Sequence, residues 1–405
     1  MNKEIDPTLL FFAGIELLPL ATTAKAKPDD VAKWVEQIVA SAGQRGPRLK
    51  LAAKFRTADL LANQDGFPEL ALKLSEALVK ETEKAKTAKK VQALKTLASV
   101  QRKSKLTEEL KSTLAAIDRL ELVLDSEYKA EVPPFKVEKY AGRKDKLANR
   151  VAVLELFTGA QCPPCVAADI AFDALETAYE RKDLILVQYH MHIPGPDPMT
   201  NAESQARWDY YGEIYNTSDD PNERPIGGVP SSLFNGKPLS GGGGPMALSE
   251  EKFKDFARIA NELLEAKTEI AIAGTASKKD GTLTVNATVT GTSKDASPYV
   301  RVLLVEEEVH FPGGNGVRFH HQVLRSMFGK AGGWKASSLK DGKLEVSLKL
   351  AELKESLAKT IDADENELGT KFAKKPLALE HLKVIVLVQK DESGEILQAA
   401  QFDVK

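Results

Sequence analysis

The chain of 405 residues contains two cysteines, both within FTGAQCPPCVAAD: Cys162 and Cys165, separated by Pro163 and Pro164. A bridge between them closes so small a loop that it constrains the unfolded chain little, which makes chemistry a better reason for the pair than architecture. The residues before them, VAVLELF, read as a short buried strand, and CVAADIAFDALETAYERK reads as a helix with its apolar positions on one side. A cysteine at such a turn meets the positive end of the helix dipole and free backbone N–H groups, both of which favour thiolate over thiol. Cys162 holds that position and is the expected nucleophile. Cys165, one turn inward, is the expected resolving residue, placed to attack a mixed disulfide on Cys162 and release the substrate as a thiol.

The prolines refine this expectation. Pro163 suits the first helical position, where its missing N–H costs nothing. Pro164 removes a second donor from the neighbourhood of the Cys162 sulfur, which predicts moderate acidification and a couple that is no strong oxidant. Two other readings stand beside exchange. Cys162 and Cys165 could hold zinc with His190 and His192, although the H-x-H spacing lies outside the usual finger pattern. The pair could also be inert buried thiols, since free cysteine often serves as a small apolar residue.

The elements around the turn follow from hydrophobic period. LILVQYHMH is a second buried strand and completes a β-α-β unit. After the loop IPGPDPMTN come a helical stretch ESQARWDYYGEIY, a strand-like SLF, the turn signal Asn235-Gly236, and the helix SEEKFKDFARIANELLEA with Ser249 as its expected cap. Before the turn, residues 28 to 130 carry apolar residues at three- and four-residue spacing, which predicts about five helices in antiparallel hairpins. Residues 131 to 147 are proline-marked and charged, a linker with one short strand expected at Phe135 to Val137. From Glu269 onward seven alternating segments with turns such as KKDG and KDGK, interrupted by the helix AELKESLAK, predict an antiparallel β-sandwich over residues 269 to 405.

The order strand, C-x-x-C, helix, strand, helix, then Gly228-Val229-Pro230 and a strand leading to NGK resembles the thioredoxin fold over about residues 148 to 268. The resemblance places Pro230 at that family's cis-proline and implies that the Val229 backbone pairs with a bound substrate strand opposite Cys162. More narrowly, ELFTGAQCPPC followed by a β-sandwich tail resembles the Omp28-related envelope proteins, which couple a thioredoxin-like domain to an immunoglobulin-like one. The fold class expected is therefore multidomain α+β: an N-terminal all-α region, a central thioredoxin-like α/β domain and a C-terminal antiparallel β-sandwich. There are departures. The family's buried acid on the strand before the site is Leu156 here, with Glu155 turned to the other face, and its usual tryptophan before the first cysteine is Gln161.

Composition bounds the rest. A net charge of −2 at 42% apolar and 28% charged residues gives no electrostatic reason to expect nucleic acid or an anionic membrane as main partner. Residues 1 to 27 hold a degenerate signal-like segment: Leu9 to Leu20 is apolar, but Glu4, Asp6, Glu16 and Pro19 spoil the pattern. No stretch has the apolar length of a membrane span. His190 and His192 read as strand-end residues lacking a carboxylate partner in sequence, His320 and His321 point to opposite faces of a strand, and the GGGG run at 241 to 244 is a flexible connection. The expected activity is thiol-disulfide exchange, acting as a reductant on protein disulfides, with no bound cofactor or metal. Partners are protein thiols or disulfides and a redox partner protein, in the cell envelope or periplasm, with the cytoplasm as alternative. The competing function is a non-catalytic interaction protein that uses the fold as a binding platform.

Overall fold

The computed structural model describes residues 7–64, 66–220, 223–292, 298–329, 332–372 and 374–405. It divides into two compact units, residues 1–131 and 132–405. The first is helical: α1 (Pro7–Leu17), α2 (Pro28–Gly43), α3 (Pro47–Ala62), α4 (Pro68–Glu81), α5 (Thr87–Lys103) and α6 (Thr107–Glu131), each packed on the next. Pro28, Pro47 and Pro68 stand at helix starts, where a missing N–H is free of cost. The signal-like segment is part of this unit: Phe11, Ile15, Leu18 and Ala21 join Val31, Val35 and Ile38 in its core. Glu4 and Asp6 lie outside the described residues. No helix among the described residues is long and apolar enough to cross a membrane.

The second unit is mixed α/β. Its first strand β1 (Ala152–Thr158) lies parallel to β2 (Leu184–His190) and antiparallel to β3 (Ser231–Phe234), which turns through Asn235-Gly236 into β4 (Lys237–Ser240). Both turn residues take positive φ, 46° and 77°, as a two-residue hairpin loop requires. On one face α7 (Val166–Ala178) and α9 (Ser249–Leu263) bury Leu154, Leu156, Leu186, Phe172, Phe234 and Phe256. On the other, Tyr211 of α8 (Ala202–Tyr215) packs with Val153, Phe157 and Tyr189. Ser249 does not cap α9; its hydroxyl donates to the Met246 carbonyl at 2.7 Å.

The C-terminal strands differ from a self-contained sandwich. β7 (Tyr299–His310), β8 (Phe319–Met327), β11 (Leu382–Gln389) and β12 (Ile396–Asp403) pair antiparallel with one another, the two-residue β9 (Trp334–Lys335) joins β7, and β8 pairs in parallel with β2 through Gln188 and Val323, so one sheet runs β12-β11-β7-β8-β2-β1-β3-β4. A separate sheet of β5 (Ala271–Lys279), β6 (Thr282–Thr290) and β10 (Lys343–Lys349) packs Leu283, Val285 and Val289 against Val302, Leu304, Val384 and Val386. Strands from residues 148 to 268 and strands from residues 269 to 405 thus share one sheet. The helix expected as AELKESLAK runs further, as α10 (Leu350–Glu367), because Leu353, Leu357 and Ile361 continue its buried stripe at four-residue spacing. No strand forms at Phe135 to Val137; Phe135 instead packs its ring on Phe253, 5.4 Å between centroids.

Candidate active site

The turn between β1 and α7 is built by local bonds and by close approach of three loops. Cys162 N donates to Gly159 O at 2.9 Å and Cys165 N to Cys162 O at 3.2 Å, a single tight turn over Pro163–Cys165 that leads into α7. Cys162 is extended at φ −88°, ψ 106° and Cys165 has helical backbone angles, so the first cysteine precedes the short turn and the second closes it as the residue that caps α7. The two are joined as a disulfide with Cα atoms 5.3 Å apart. Pro163 and Pro164 are exposed, whereas Cys162 is 1% and Cys165 0% exposed.

Val229 and Pro230 stand beside this turn. The Val229 carbonyl oxygen is 3.6 Å from Cys162 Sγ, a contact only, since a disulfide sulfur has no proton to donate, and the Val229–Pro230 bond is cis. The loop between β7 and β8 closes another side: Asn315 Nδ2 donates to Gly159 O at 3.3 Å and Cys162 O at 3.2 Å, and Asn315 N to Ala160 O at 3.1 Å. A cleft lined by Gln161, the residue before Cys162, lies among Pro194, Gly195, Pro196, Lys371 and Phe372.

The glycine run is not a flexible connection. Gly244 N donates to Pro164 O at 2.6 Å and Ala167 N to Gly244 O at 2.9 Å, which straps the run across the start of α7. A Cβ on Gly243 would collide with the Pro164 carbonyl and the Pro230 ring, whereas one on Gly241 would meet nothing within 4 Å. Gly243→Ala is therefore expected to lower unfolding free energy by about 1–3 kcal/mol, as overpacking does. Gly241→Ala should leave it unchanged, and urea denaturation of both variants checks the contrast.

Beneath the turn lies a polar cluster that the sequence did not reveal. The sheet face bearing Leu154, Leu156 and Leu186 turns polar at Thr158, Gln188 and His190, all buried, opposite the buried Asp169 of α7. Gln188 Nε2 donates to Asp169 Oδ1 at 3.1 Å, and Gln188 Oε1 is 3.1 Å from His190 Nε2. His190 Nδ1 is 2.7 Å from Asp197 Oδ2, which also accepts from Ala160 N at 2.7 Å, while Asp197 Oδ1 accepts from Met199 N at 2.9 Å. Burial alone would raise the Asp197 carboxyl, but His190 and these N–H donors hold it below its ordinary value. His190 thus has a carboxylate partner after all, and His192 stands 3.3 Å from Asp364. With both cysteines bridged and His190 bonded to Gln188 and Asp197, the four residues of the zinc reading are not arranged as a ligand set.

His320 packs edge-on against His190, 4.8 Å between centroids, and donates Nε2–H to Phe311 O at 3.0 Å. His321 turns instead to Asp173, 2.8 Å away. Burial, reinforced by His190, pushes His320 down to about 3 from 6.5. The unfolded chain therefore binds this proton more readily than the folded one. The stability His320 contributes is complete above pH 6.5 and is lost as pH falls toward about 3. The slope reaches at most about 1.4 kcal/mol per pH unit. His320→Gln should flatten it, measured as unfolding free energy against pH for the two proteins.

Among solved structures, HBP35 of Porphyromonas gingivalis aligns over 62% of this chain and 74% of its own, at 16% identity and a TM-score of 0.40. No protein-family model and no curated protein matches the chain.

Proposed function

We propose that the protein is a thiol-disulfide oxidoreductase, with Cys162 as nucleophile and Cys165 as resolving cysteine, acting as a reductant on protein disulfides. The observation that carries this reading is the Cys162–Cys165 bridge set at the start of α7, with Cys162 before the short turn, Cys165 at the cap of the helix and the Val229 carbonyl beside the outer sulfur. An outer cysteine at a helix start is the one whose thiolate is favoured, and an inner one a turn away resolves the mixed disulfide. Val229 and Pro230 then offer backbone to a substrate strand, as edge pairing requires. The thioredoxin-like reading of residues 148 to 268 is supported by the parallel β1-β2 pair, the antiparallel β3-β4 hairpin and helices α7 and α9 on one face. A place in the cell envelope remains the expectation from the resemblance, tested by fractionating cells that express the full chain.

At 1% exposure Cys162 is shut in while oxidised, so exchange includes a step that parts the loops around Val229, Gly243 and Asn315. The same burial favours a second reading, a binding platform with a structural bridge. Turnover on insulin disulfides, recycled by dithiothreitol, separates them. The oxidoreductase accelerates insulin reduction, and the platform leaves it at the background rate.

A further inference from the structure

We propose that Asp169 is the group that takes the proton of Cys165 when Cys165 resolves the mixed disulfide, an inference that rests on the exchange reading above. Asp169 follows Cys165 by four residues; Cys165 closes the short turn that leads directly into α7 and has helical backbone angles, so the two positions stand about one helical turn apart, and both are buried. Its two oxygens are used differently. Oδ1 is anchored by Gln188 Nε2, whereas Oδ2 is buried and makes no hydrogen bond of ordinary geometry, although the Thr158 hydroxyl lies near enough to act on the carboxyl. A buried carboxyl oxygen left unpaired is uncommon enough to need a reason, and a proton that comes and goes supplies one.

The anchor is rooted in the cysteine turn itself. Gln188 is held by His190, His190 by Asp197, and Asp197 by the backbone N–H of Ala160, two residues before Cys162. The groups facing Asp169 are Thr158 of β1, Gln188 of β2, Asp197 of the following loop and Asp173 on its own helix. Burial raises its pKa well above the ordinary carboxylate value; the Thr158 hydroxyl and Gln188 lower it and the charges of Asp173 and Asp197 raise it further. A carboxylate so raised is better matched to a thiol proton than an exposed one. The face where the related fold carries its acid is occupied here by Leu156, and the helix supplies the carboxylate instead.

In this step the Cys165 thiol gives its proton to Asp169 Oδ2 and its electron pair to Cys162 Sγ; the Cys162–Cys165 bond forms, the Cys162–substrate bond breaks, and the substrate departs as thiolate. The cysteine pair is oxidised by two electrons and the substrate disulfide reduced. When a dithiol donor later reopens the bridge, the same proton returns to Cys165.

The test mixes the reduced full chain with excess glutathione disulfide and follows glutathione release, with acid-quenched mass spectrometry to quantify the protein-glutathione adduct. Attack by Cys162 gives the first phase and resolution the second. In Asp169→Asn the second phase should slow on the order of 10²-fold. The adduct should accumulate and the residual rate should rise tenfold per pH unit. An unchanged second phase with an unchanged pH profile overturns the proposal. Should the variant not fold, the wild-type profile decides. Resolution whose rate reaches a plateau as pH rises and falls in acid supports Asp169, and a rate proportional to hydroxide throughout overturns it. If the wild type never forms an adduct, the exchange reading itself fails, a result distinct from normal resolution without Asp169.

Discussion

Replacing Cys162 with serine is expected to reduce thiol-disulfide exchange to background while leaving the fold intact. A serine hydroxyl forms no stable bond to sulfur and is not ionised near neutral pH, so no mixed disulfide can form. The bridge closes too small a loop to hold the second unit together. Cys165→Ser should behave differently. Cys162 still attacks, but the intramolecular second step is gone, and the adduct with glutathione or insulin should persist with turnover lowered by roughly 10²-fold or more. The asymmetry matters more than either loss, because equal phenotypes would deny the division between an outer and an inner cysteine. Mass spectrometry of the two variants after exposure to glutathione disulfide reads it directly. Binding retained by Cys162→Ser with every function unaffected would favour the platform.

The second large effect is structural. Glu155, 0% exposed on the face of β1 away from α7, accepts from Arg207 Nε at 2.8 Å and Nη2 at 3.0 Å, from Tyr189 Oη at 2.7 Å, and from the Tyr211 hydroxyl. Arg207 is itself 3% exposed and reaches Gln389 of β11 at 2.8 Å, so the carboxylate ties α8 to the strand that leads into the cysteine turn and to the far part of the sheet. Glu155→Ala strands the guanidinium without a counter-charge, which costs about 3–5 kcal/mol when a buried pair is broken from one side. The Gly243 and His320 variants should be milder. Urea denaturation should show the loss, and Glu155→Leu combined with Arg207→Met should recover much of it, since apolar replacement of both partners spares the desolvation. A single-variant loss below about 1 kcal/mol would mean that water reaches the pair.

Much of this architecture is legible where structure is local. The change of period after residue 150 marks β1, α7 and β2, and Asn235-Gly236 marks the β3-β4 hairpin, because one turn geometry admits few residues. Asp280-Gly281 and Asp341-Gly342, all at positive φ, sit at the KKDG and KDGK turns for the same reason. What escapes is non-local. The sheet is continuous because Gln188 meets Val323, a pairing that no period encodes. GGGG reads as slack until Pro164 is seen against it, and Asp197 is hidden in a proline-rich loop. Asp169 left a trace, one acid inside the apolar run of CVAADIAF, and a buried helix face is where such a residue needs a purpose.

The most direct measurement is the reduction potential of the Cys162/Cys165 couple, obtained by equilibrating the purified full chain with dithiothreitol buffers of defined ratio and counting free thiols. The proposed function predicts one reversible two-electron transition, both thiols appearing together, toward the reducing end of the span of about −270 to −120 mV covered by known exchange proteins. Thiols that never pair, or a potential at the oxidising end, would contradict it.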